Sequence, residues 1–138
     1  MHRARRKAQA GCYDDGMSTL ASEACTLLDA KCIDEIRYIE RATGRDDVFS
    51  GFVLTLERNL AGFAAAFGDC IARGDAKGAT RTAHTLKGAC HQLGARALGD
   101  LFADIERSAR AGDYAAARRS FDAGAVLIVQ SLQALKRA

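Results

Sequence analysis

The chain has 138 residues, with 20 Lys and Arg against 17 Asp and Glu, a formal net charge of +3, five cysteines, and neither proline nor tryptophan. That length suits one domain able to bury a modest core without staples, and the lack of alternating β-branched runs argues against a sheet protein and for an all-α chain. Arg3, Arg5, Arg6 and Lys7 carry the excess charge within the first ten residues, so the remainder is close to neutral and is not the body of a polyanion binder.

Residues 1–17 are basic, then marked by glycine and aspartate, and read as a flexible arm or linker remnant. Ser18 is placed to cap a short helix carrying Leu20, Cys25, Leu27 and Leu28, and a second helix around Ile33, Ile36, Tyr38 and Ile39 stops at Thr43-Gly44. Asp46 or Asp47 opens a long helix in which Phe49, Phe52, Val53, Leu56, Leu60, Phe63, Phe67 and Ile71 recur at spacings of three and four. That is the strongest core signal in the chain. Gly74-Asp75 and Gly112-Asp113 each read as a helix stop followed by a cap. Between them two helices meet at Gly94, the first turning Ala79, Ala83, Leu86, Cys90 and Leu93 inward and the next Leu98, Leu101, Phe102 and Ile105. A last helix from about Tyr114 buries Phe121, Leu127, Ile128, Leu132 and Leu135. Short connections between amphipathic helices predict an up-and-down antiparallel four-helix bundle over residues 31–138. Residues 1–30 are assigned to the basic arm and an extra helix or linker, and one or two short N-terminal helices accompany the bundle.

Cys12, Cys25, Cys32, Cys70 and Cys90 form no C-x-x-C pair and no paired zinc spacing, and an odd number cannot all pair internally. With no apolar leader and no long apolar run, the expected setting is the reducing cytoplasm, as a free protein or as a soluble tail of a membrane protein. Phosphate-cradling glycine loops, H-E-x-x-H and a sequence-readable serine or cysteine nucleophile are all absent from the sequence. No cofactor or metal of its own is expected. His84 and His91 would lie ~10.5 Å apart along a helix, too far to share an ion.

What remains is one stripe of a helix, His84, Lys87, Gly88 and His91, opposite the apolar stripe of Ala83, Leu86 and Cys90. Neutral imidazole, with an ordinary pKa of about 6.5, can attack phosphorus, and a lysine one turn on can neutralise phosphoryl oxygens. The plainer alternative is a surface histidine beside a solvated lysine. Gly88 costs roughly 1 kcal/mol against alanine in a helix interior, which suggests that space beside His84 is needed. Arg81, Arg96, Arg107 and Arg110 read as solvated charges, with steering of an acidic partner as the other reading. The basic arm lacks interleaved aromatics, so nucleic acid is not an expected partner.

Ala83-His84-Thr85-Leu86-Lys87-Gly88-Ala89, with Leu93-Gly94-Ala95, Leu98, Leu101, Ile105-Glu106 and Ala111-Gly112-Asp113, resembles the histidine-containing phosphotransfer (HPt) domains of phosphorelays. The resemblance implies a phosphorylatable His84 on an open bundle face, supported by Lys87, with Gly88 admitting a receiver domain. It further implies receiver and hybrid-kinase partners, a divalent cation carried by the receiver, and no ATP site in this chain. Thr80, Arg81, Gly88, His91 and Glu106 are the residues expected to meet the receiver. Glu106 stands where some members have glutamine, and it reads either as a holder of Lys87 or as a solvated acid. The alternative function is a docking module that binds a receiver or another enzyme without turnover.

Overall fold

Aspartate caps and glycine stops set the helix boundaries. The computed structural model describes residues 27–138, which form six helices and no strand: α1 (Ala30–Thr43), α2 (Val48–Ala72), α3 (Ala76–Leu93), α4 (Arg96–Arg110), α5 (Tyr114–Ala123) and α6 (Ala125–Arg137). The basic arm and the helix expected from Ser18, with Leu20 and Cys25, lie outside the described residues; Leu27 and Leu28 are buried. None of the described helices is long and apolar enough to cross a membrane.

The Asp29 side chain accepts from the Lys31 and Cys32 amides to start α1, and Asp75 and Asp113 do the same for α3 and α5 through the Gly78 and Ala116 amides. Gly44, Gly74, Gly94 and Gly112 all have positive φ and close the preceding helical segments, a backbone state that costs other residues strain. The cap of α2 departs from expectation. Asp47 occupies the N-cap position without capping, and pairs instead with Arg45. The buried Glu40 of α1 takes over, its Oε2 accepting the Phe49 amide at 2.8 Å. That amide, helped by Arg37, holds the Glu40 carboxyl below its ordinary range.

α3 packs against α4 and α2, α4 also packs against α5, and α6 closes on α2 and α4, while α1 lies on α2 and α3. One core runs from Leu27 to Leu135. Its centre is Phe63, whose ring lies 5.0 Å from each of Phe67, Phe102 and Phe121, joining α2, α4 and α5. Ala79, Ala83 and Cys90 are fully buried on α3, and small side chains there let α4 come close. Burial pushes the Cys90 thiol up to about 12, so it behaves as a hydrophobe.

Several details of the sequence pattern are corrected. Phe52 is exposed rather than inward, and Ile71 is only partly buried, while Cys70 joins the α2 stripe. On α1, for which the sequence marked a helix without assigning its inward face, the buried stripe is Ile33, Ile36 and Glu40, and Tyr38 and Ile39 are exposed. Leu101 is partly buried, and the final helix is two. Gly124 divides them with a negative φ, and a Cβ there would meet Leu101 Cδ2 at 2.5 Å, so the leucine side chain of α4 would have to shift to admit one. Phe121, Leu127, Ile128 and Leu132 are partly buried rather than fully, and Leu135 is buried.

Leu86, 3% exposed, fixes the rotation of α3. Leu86→Ala should cost about 2–5 kcal/mol through lost burial and the cavity left behind. Thermal or urea unfolding checks this, and an unchanged midpoint would mean a helix rotated away from this packing.

Candidate functional site

The rotation that buries Ala83, Leu86 and Cys90 turns His84 outward, with 62% of its side chain exposed. Across the groove, α4 buries Leu98, Phe102, Ile105 and Ala109, and this places Glu106 at the margin of the α3–α4 contact. Only 4% of the Glu106 side chain is exposed. The expectation of a solvated acid is therefore wrong. A buried carboxylate must be compensated, and three neighbours do so. His84 Nδ1 lies 3.0 Å from Oε2, Arg110 Nη2 donates to the same oxygen at 2.7 Å, and Lys87 Nζ pairs with Oε1 at 2.9 Å.

Burial alone raises the Glu106 carboxyl, but the bonds from Lys87, Arg110 and His84 outweigh it and hold the group at about 2. It is ionised throughout the neutral range, and the stabilisation it gives is lost only as pH falls from ordinary carboxylate values toward 2. An ionised carboxylate can only accept, so in neutral His84 the proton sits on Nδ1. The lone pair is left on Nε2, in an exposed ring whose orientation the carboxylate fixes. The arrangement supplies an oriented nitrogen nucleophile, a cation one turn away, and a counter-charge for any positive charge that develops on the ring.

Thr80, Arg81, His84 and Glu106 line one cleft with Lys77 and Arg110. Gly88 lies outside that cleft on the exposed face one turn beyond His84, where an added Cβ meets nothing within 4 Å. His91 is exposed on the same helix but leans toward α4: its ring covers Gly99, and Nε2 lies 3.4 Å from Asp100 Oδ1. Arg110, read from sequence as a solvated charge, belongs to the cluster. The four-residue spacing of Glu106 and Arg110 was the available signal. Lys77 was not singled out in the sequence, although Lys77, Arg81 and His84 follow one another at spacings of four and three. Arg107 pairs with Asp104 on its own helix.

The family model of the Hpt domain matches residues 47–138, two thirds of the chain, and includes every residue of this cluster. No curated protein and no solved structure matches the chain.

Proposed function

This chain belongs to the Hpt domain family, whose members act in phosphotransfer within two-component signalling, and we propose on that premise that His84 is its phosphoryl acceptor. The observation that carries the reading is the exposed imidazole whose Nδ1 is held by the buried, ionised Glu106. Nε2 attacks the phosphorus of a receiver's aspartyl phosphate, the N–P bond forms, and the P–O bond breaks with its electrons leaving on the aspartate carboxylate. The ring keeps its Nδ1 proton, so phospho-His84 carries positive charge against Glu106, and neutral imidazole leaves when a second receiver's aspartate takes the group. Lys87 offsets the negative charge of the phosphoryl oxygens. The divalent cation that aspartyl-phosphate chemistry uses belongs to the receiver.

The scaffold for this relay is read as an up-and-down antiparallel four-helix bundle of α2, α3, α4 and the α5–α6 pair, supported by the two- and three-residue connections between them. Its place is the cytoplasm, where Cys32, Cys70 and Cys90, all free thiols, stay reduced. Receivers and a hybrid sensor kinase are the expected partners.

Incubation with a phosphorylated receiver tests the reading. The relay predicts an acid-labile, base-stable label on this chain that a second receiver removes. A stable complex without label would instead make the chain a docking module.

Gly88 offers a test that separates stability from function. Glutamine is the better helix former and the site is open, so Gly88→Gln should be neutral or stabilising by up to about 1 kcal/mol. Its side chain would occupy the approach to His84, and receiver binding and transfer should fall sharply. Paired melting and receiver titrations check this; undiminished binding would show that the space at Gly88 is not needed.

A further inference from the structure

From His84 toward the start of α3, α3 and α4 enclose an open cleft of about 460 Å³ lined by Lys77, Thr80, Arg81, His84, Glu106 and Arg110. Its charges are unequally committed. Arg110 and Lys87 are both engaged by Glu106, and the Thr80 hydroxyl donates to the Ala76 carbonyl at 2.8 Å. Lys77 and Arg81 form no ion pair with any described residue, Arg81 reaching Asp75 only through longer-range attraction. Like charges four residues apart mildly destabilise a helix, so apart from the attraction of Arg81 to Asp75 nothing in the fold calls for this pair.

Their position beside His84 supplies a use. A partner that holds an aspartyl phosphate and a divalent cation must present carboxylates around that site. We propose that the Lys77–Arg81 cleft is a partner-selecting surface that receives acidic side chains from the rim of the receiver approaching His84. This rests on His84 being the phosphoryl acceptor, and it gives the docking face two parts. Gly88 leaves room for the partner, while Lys77 and Arg81 read its charge. Rim charges of this kind act mainly on encounter and are screened by salt.

The test titrates unphosphorylated receiver domains of the source organism against the whole chain and against Lys77→Glu/Arg81→Glu, at low and high salt. Lys77→Ala/Arg81→Ala serves as a second variant should the reversal disturb α3. The wild type should bind at least one receiver with an affinity that falls as salt rises. The reversal should bind it roughly tenfold more weakly at low salt, with the difference shrinking at high salt. Equal affinity of folded variants and wild type at both salts overturns the proposal, as does a wild type that binds no receiver. Charge-dependent binding by a wild type that takes no label on His84 leaves the cleft standing and defeats the phosphotransfer reading.

Discussion

His84→Gln should take up no phosphoryl label from a phosphorylated receiver, while its stability stays within about 0.5 kcal/mol of the parent, as for other exposed substitutions. The glutamine amide can still donate to Glu106, so the buried carboxylate is not orphaned. What is lost is the Nε2 lone pair, for which an amide nitrogen is no substitute. Because no other group takes over, the effect is a loss of acceptance and not a graded slowing. Label counting on purified protein, together with a melting curve, checks both halves. A variant that still accepts the group, or one that unfolds, contradicts the assignment of His84 as an exposed nucleophile.

The largest effect on the fold is expected at Phe63. This ring is 1% exposed and touches three other phenylalanines from α2, α4 and α5. Phe63→Ala removes buried apolar area and leaves a cavity that three rigid rings cannot fill, at a cost of about 3–5 kcal/mol. For a chain of this size that is a fall in melting temperature of about 10 °C or more. Since α4 carries Glu106 and Arg110, the loosened core should also weaken the orientation of His84. A change below about 1 kcal/mol would mean that the aromatic cluster is not the centre of the core.

The parts of the molecule legible in the sequence are those decided locally. His84, Lys87 and Gly88 fall within two turns of one helix, and the Gly-Asp pairs at 74–75 and 112–113 combine a positive-φ stop with a side-chain cap. Each residue that the periodicity of α3 turned inward is buried, because both faces of that helix are strongly marked, and only Gly78 of its first turn is added to them. Glu106 was legible only in part: its pairing with Lys87 was one of two readings, but its burial and its further partners His84 and Arg110 depend on packing between α3 and α4 that its sequence neighbours do not reveal. The close approach of Leu101 to Gly124 and the cap of α2 by Glu40 are both distant contacts. Phe52 was misread because an apolar residue at helical spacing was assigned to the core, although surfaces also carry such residues.

Glu106 also gives the account its sharpest consequence. If it holds the Nδ1 proton, phosphorylation can occur only on Nε2 of His84. The measurement that tests this most directly is phosphorus NMR of the wild-type chain after loading from a phosphorylated receiver, with the labelled residue mapped by mass spectrometry. The account predicts a single Nε2-phosphohistidine at His84 that disappears on addition of a second receiver. Label on Nδ1, on His91, or on a base-labile carboxylate would contradict it.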